Sequence, residues 1–183
     1  MPGSDNEVDR LLDRIKNDLP VSNCKGQKFI PRHDLRECLT RQKFGRVLDY
    51  HAIDILKLRT IEKSYLAIFV ILWLIGKATS ITSFIRRNDL SDAHLPFRNP
   101  DNWPDSCKEF FGAFFKLQWE FCAEEFNPDR LDDKELEDQS ILPILTQDPL
   151  KEGPDSWTYK IQIHPDYNSL TPAVSRVVLQ NHA

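Results

Sequence analysis

Glycine is scarce in this chain, six in 183 residues, and the one stretch that reads like a phosphate loop, "EGPDSWTYKI" at 152–161, holds a single glycine, Gly153. Loops that cradle phosphates need several, because only glycine lets backbone N–H groups approach closely at positive φ. Pro154 has no N–H to offer, Asp155 carries a charge that repels phosphate, and Ser156 stands where a second flexible residue is wanted. A CxxC pair is also missing. Cys24, Cys38, Cys107 and Cys122 are widely spaced, which implies buried thiols in a reducing compartment rather than a disulfide framework. The polar opening "MPGSDNEVDRLLDRIKNDLP" has no basic start, apolar stretch and small-residue cleavage site, so it is not a secretory signal, and an intracellular address, cytoplasmic or nuclear, is expected.

Long hydrophobic runs are absent too. The most apolar stretch, "YLAIFVILWLIG" at 65–76, is twelve residues without a charge. As a helix it reaches about 18 Å, whereas a bilayer span takes about 20 residues. A buried central helix follows. The net charge of −4 is ordinary but unevenly placed. Residues 25–46 hold seven Lys and Arg (Lys25, Lys28, Arg32, Arg36, Arg41, Lys43, Arg46) against Asp34 and Glu37, while residues 99–155 carry fifteen Asp and Glu against five Lys and Arg. Such blocks read as solvated surface or as steering for different partners.

Apolar spacing predicts helices. Val8, Leu11, Leu12, Ile15 and Leu19 recur with helical period before Pro20, and in "KFIPRHDLRECL" Pro31 is placed for the first turn with Leu35 and Leu39 on one face. "TRQKFGRVLDY" continues with Thr40 as a candidate cap. Gly76 is suited to end the apolar helix, and "TSITSFIRR" starts another at Thr79 or Ser80, turning Ile81, Phe84 and Ile85 inward. A turn-rich loop then leads to "CKEFFGAFFKLQWEFCAEEF", whose seven aromatics (Phe110, Phe111, Phe114, Phe115, Trp119, Phe121, Phe126) mark core. Beyond an acidic segment containing Leu131 and Leu136 the period changes to two. Trp157, Tyr159, Ile161 and Ile163 alternate with polar residues as in a half-buried strand, "PDYNS" is turn chemistry, and "PAVSRVVLQ" is the expected partner strand.

"FIPRHDL" at 29–35, "KSYLAIFVILWLIGKATSITSFI" at 63–85, "LQWEFCAEEF" at 117–126 and "ILPI" followed by "EGPDSWTYKIQIHPDYNSL" together resemble the N-terminal part of a family of fungal protein-kinase-like proteins. These carry a helical extension ahead of a kinase small lobe. Their last piece resembles "EGGFGxVYKIEIHPDHxxL", which Glu152, Gly153, Tyr159, Lys160, Ile161, Ile163, His164, Pro165 and Asp166 match. The departures fall on the nucleotide lid, where the pattern's second glycine, aromatic and third glycine are Pro154, Asp155 and Ser156. Where the resemblance implies a phosphate-holding lysine, Ser175 stands, with Arg176 beside it, and no HRD-type or DFG-type motif occurs. A base, a metal ligand and a positioned phosphate are all needed for phosphoryl transfer.

Other chemistry is weaker still. Cys24, His33, Cys38 and His51 have spacings that match no common zinc knuckle. His164 beside Asp166 reads as a turn residue before proline rather than a base, His94 and His182 are isolated, and no G-x-S-x-G elbow is present. The basic run and the helices near 60–87 raise a winged-helix DNA binder, against an acidic whole and few interleaved aromatics.

The expected fold is mainly α (α+β). A helical domain over 1–126 is built on the 60–87 hairpin and sealed by 107–126, an acidic linker covers 127–140, and an antiparallel β meander over 141–183 resembles the start of a kinase small lobe. Two or three strands are marginal alone, so the meander is expected to dock. The expected function is a non-catalytic protein-interaction or regulatory module. No catalytic, cofactor-binding or metal-ligating residue is assigned, no cofactor is implied, and the partner is another protein rather than a membrane. The alternatives are a truncated kinase with residual nucleotide binding and a winged-helix-like DNA-binding domain.

Overall fold

A computed structural model describes residues 4–128, 136–152 and 157–170. It is mainly α with some β, as the apolar periods predict. The helices are α1 (Ser4–Asn17), α2 (Arg32–Cys38), α3 (Arg41–Tyr50), α4 (Leu58–Ser64), α5 (Leu66–Leu74), α6 (Ile81–Phe84) and α7 (Phe111–Gln118). The strands are β1 (Val21–Ser22), β2 (Lys28–Phe29), β3 (Ile144–Glu152) and β4 (Trp157–Ile163). Contacts divide the chain into two units. One comprises Met1–Pro20 with Ile30–Cys122, and the other Val21–Phe29 with Ala123–Ala183.

The helical unit is organised around α5, the centre of the stretch read as a buried helix. Leu66, Ile68, Phe69, Val70, Ile71, Leu72 and Trp73 are all buried, so the helix has no solvent face. A helix of that kind cannot rely on water to satisfy its first N–H groups. Asp92, 24 residues beyond Ile68 in the chain, supplies the acceptor. Its carboxylate takes the N–H of Ala67 at 3.0 Å and of Ile68 at 3.1 Å. Burial pushes the Asp92 carboxyl above the ordinary carboxylate range, although those N–H bonds and the Arg36 charge pull the other way. The far end closes on Gly76. Its φ of 72° suits glycine, its N–H reaches the Trp73 carbonyl at 3.0 Å, and the N–H of Lys77 reaches that of Leu72 at 2.7 Å, the paired bonds of a Schellman stop.

Around α5 the expected faces are in place. Val8, Leu11, Ile15 and Leu19 are buried from α1 and its exit, Leu35 and Cys38 from α2, and Phe44, Val47 and Leu48 from α3. The 60–87 region is more broken than a plain hairpin, with α4 and α5 meeting at Tyr65 and α6 only four residues long. Ile81 and Phe84 are buried and Ile85 half-buried. Thr40 and Ser80 do occupy cap positions, but neither side chain makes a capping bond, and Pro31 caps α2 rather than entering its first turn.

Of the aromatic segment, Phe110, Phe114, Trp119 and Phe121 are buried in the helical unit, Phe111 and Phe115 are half-buried, and Trp103 is the hub of the cluster. Its ring meets Phe84 at 5.0 Å, Phe111 at 5.0 Å and Phe114 at 4.9 Å between centroids, all edge to face. Gln118, fully buried, clasps the backbone of Phe97 by accepting its N–H at 2.8 Å and donating to its carbonyl at 2.9 Å. One side chain thus satisfies both polar groups of a buried loop residue.

In the second unit β1 and β2 pair antiparallel, with Val21 opposite Phe29, through a turn built by Asn23. The Asn23 Oδ1 accepts from the N–H groups of Lys25 and Gln27, and its Nδ2 donates to Leu142. Phe29 packs edge to face on His164 at 5.5 Å and Tyr167 at 5.6 Å. The strand predicted from period two is β4, with Tyr159, Ile161 and Ile163 half-buried and Lys160 and Gln162 exposed. Its partner is β3, from Ile144 opposite Ile163 to Glu152 opposite Trp157. "PAVSRVVLQ", expected in that role, and Leu131 lie outside the described residues.

Replacing Asp92 by alanine leaves two helix-start N–H groups without an acceptor and is expected to cost about 2 kcal/mol in urea denaturation, with asparagine costing less because one acceptor survives. Equal stability of wild type and Asp92→Ala would remove the cap from the account.

Candidate functional site

A groove of the helical unit lies where α3 meets the start of α4. This groove of about 650 Å³ is lined by Arg41, Gln42 and Gly45 of α3 and by Ile55, Leu56, Leu58 and Arg59. A 3-10 turn at Ile55–Lys57, capped by the Asp54 carboxylate on the N–H of Leu56 at 2.9 Å, presents the apolar rim. Leu56 is 85% exposed and Ile55 55% exposed, unlike the mass of large apolar side chains in the core below. Gly45 forms the floor, where a β-carbon would meet Ile55 Cδ1 at 3.5 Å and Leu58 Cδ1 at 3.6 Å. The groove is therefore apolar in its bed and cationic at its margins. Neither Arg41 nor Arg59 has an ion-pair partner among the described residues. What the groove offers is an apolar surface flanked by two guanidinium groups.

The basic run is split between the two units. Lys25 and Lys28 belong to the β1–β2 unit, and Arg32, Arg36, Arg41, Lys43 and Arg46 to the helical one. Arg46 pairs with Glu7, and Arg36 bears on Asp92. Arg41 is left to the groove. As a DNA-reading element, the 60–87 region offers a poor surface: α5 is enclosed on all sides and α6 has four residues. No helix among the described residues is long and apolar enough to cross a membrane.

Comparison with family models, curated proteins and solved structures yields no match.

Gly153, Pro154, Asp155, Ser156, Ser175, Arg176 and His182 lie outside the described residues. Lys160 stands exposed on β4 opposite Asp148, a cross-strand charge pair. His164 opens the turn Pro165–Tyr167, its Nδ1 accepting the N–H of Asp166 at 3.3 Å. The ring packs among Phe29 and Tyr167. His94 bonds Ser91 at 3.0 Å.

The residues weighed as zinc ligands are apart in role. Cys24 is exposed in the Asn23 turn, Cys38 is buried with its thiol pushed up by burial, and His33 contacts Glu37 at 3.2 Å. His51 ends α3, its ring edge to face with Tyr50 at 5.0 Å and Trp73 at 6.0 Å, and its Nε2 is buried without a hydrogen-bond partner. No group of three or more His, Cys, Asp and Glu among the described residues is arranged for a metal ion. The groove was not singled out in the sequence. Its only sequence signals are the charge-flanked pair Ile55–Leu56 and a glycine inside a helix.

Burial pushes the His51 imidazole below its ordinary range. The unfolded chain therefore takes up the proton first, so the His51 contribution is whole above about pH 6.5 and is lost as acid carries the protein down from that unfolded value toward the depressed folded one. His51→Phe keeps the ring packing and removes the titration. Its stability is expected to fall less than wild type between about pH 6.5 and pH 5 in urea melts, and parallel pH curves would refute the assignment.

Proposed function

We propose that this chain is a non-catalytic protein-interaction or regulatory module, acting inside the cell and related to the fungal protein-kinase-like proteins its sequence resembles. The observation that carries the interaction role is the α3–α4 groove, with Leu56 and Ile55 held out on a capped turn above an apolar bed. Burying one such side chain contributes about 1.5–3 kcal/mol, so leaving Leu56 in water serves binding rather than folding. Four cysteines as free thiols suit a reducing compartment. The kinase relationship rests on the quoted sequence pieces alone. Pro154, Asp155 and Ser156 in the lid argue for lost nucleotide binding, by chemistry rather than by position.

Leu56→Asp is the direct test. The wild-type chain used as bait in a cell extract is expected to retain a protein that the variant loses, while the variant's stability stays within about 0.5 kcal/mol of wild type because the site is exposed. Recovery of the same protein by both baits would discard the groove as the contact.

Nucleotide binding is tested separately. Millimolar ATP with magnesium is expected to leave the melting temperature unchanged, where a ligand at about 100 times its Kd adds about 2.7 kcal/mol. A clear upward shift would favour the truncated-kinase alternative.

A further inference from the structure

Resting on the interaction role above, we infer that the α3–α4 groove takes an acidic amphipathic segment of a partner protein, its apolar side chains on Ile55, Leu56 and Leu58 and its carboxylates on Arg41 and Arg59.

Charge complementarity fixes the class of occupant. The groove's lining contains no acidic residue, and its two charged members are both arginines. Among the described residues Arg46 is paired with Glu7 and Arg87 with Asp89. Arg41 and Arg59 are not. The guanidinium fork matches a carboxylate in a bidentate geometry, which sets register as well as adding attraction.

Arg41 also stands where folding gains least from it, as the first residue of α3, whose first turn holds no acidic residue. A cation at a helix start opposes the helix dipole, and Asp or Glu is the favoured choice there. Gly45 adds to the pattern, since glycine within a helix weakens it relative to alanine, and a methyl would fit at ordinary contact distance. Two choices that work against local stability, Arg41 and Gly45, meet in one groove. Sequences break local rules of this sort at functional sites.

The apolar bed selects the shape of the occupant. Leu58 is buried below, while Ile55 and Leu56 rise beside it, so an incoming helix that places apolar residues at i and i+4 meets a continuous apolar strip with cations on its flanks. A nucleic acid would meet the arginines but gain nothing from exposed Leu56. A second copy of the chain would have to bring carboxylates of its own to the same strip.

The test selects random peptides of about 16 residues, about 24 Å as a helix, on phage against the full wild-type chain, with counter-selection against Leu56→Asp. Enriched peptides are expected to combine Asp and Glu with apolar residues at helical spacing. They are expected to bind the Arg41→Glu/Arg59→Glu double variant at least about tenfold more weakly in fluorescence anisotropy, and to lose affinity with added salt. Both arginines are exposed, so the double variant folds, which its thermal melt verifies. Enrichment of neutral or basic peptides that still depend on Leu56 would overturn the acidic class and leave the interaction role standing. A selection with no Leu56-dependent peptide would overturn both. Displacement of bound peptide by duplex DNA, or a Leu56-dependent dimer in sedimentation equilibrium, would also overturn the inference by naming a different occupant.

Discussion

A helix with no face toward water must have its ends satisfied from within the protein, and in this chain that requirement falls on Asp92. The α5 helix buries seven of its nine residues, and its first free N–H groups point at a carboxylate delivered by a loop beyond α6. Burial makes that carboxylate costly to ionise, yet an alternative without it leaves orphaned donors in the core. The loop is therefore tied to the helix start. Once it is tied, Phe97 and Trp103 further along it are brought to the aromatic segment. Gln118 then closes the Phe97 backbone, and the Trp103 ring fills the space between Phe84, Phe111 and Phe114.

Local pattern reached the elements that depend on local physics. The buried faces of α1, α2 and α3, the enclosure of α5, its stop at Gly76 and the alternation of β4 all follow from residue period or from one glycine's freedom, and each is found at those residues. What stayed hidden depends on partners distant in sequence. Asp92 and Gln118 read as an ordinary loop acid and an ordinary helix amide until the backbone they bond is folded against them. Asn23 looks like any turn asparagine, but its amide also holds Leu142. β3 was masked by its own composition: Thr146, Gln147 and Asp148 break the apolar alternation and Pro149 removes a donor, so only the pairing with β4 makes it a strand. The sequence reading kept residues 1–126 together, whereas the Val21–Phe29 hairpin clusters with the later residues, because its turn bonds Leu142 and Ile144 and its Phe29 packs on Tyr167.

The groove escaped the sequence reading for a different reason. Basic residues are visible as a run, and a run suggests a patch, but the structure disperses it. Arg46 goes to Glu7 and Arg36 bears on Asp92 inside the same unit. Arg41 lines the groove together with Arg59, which lies outside the run altogether. Ile55 and Leu56 were equally silent, since an apolar pair between Asp54 and Lys57 is indistinguishable in sequence from a short piece of core. Only the structure shows that the pair sits on a turn capped by Asp54, with both side chains toward solvent.

The proposed contact region departs from what folding alone favours. Most large apolar side chains of the helical unit are buried. Between Arg41 and Arg59 stand a cation at the start of α3, a glycine inside α3 and a leucine left in solvent. Each costs a fraction of a kilocalorie to a few kilocalories, which a well-packed core such as that around α5 and Trp103 offsets. A surface under no functional demand drifts toward lysine, glutamate and alanine at such positions. Arg41, Gly45, Ile55 and Leu56 share the lining of one groove, and that shared placement is the ground on which we propose it as a contact surface.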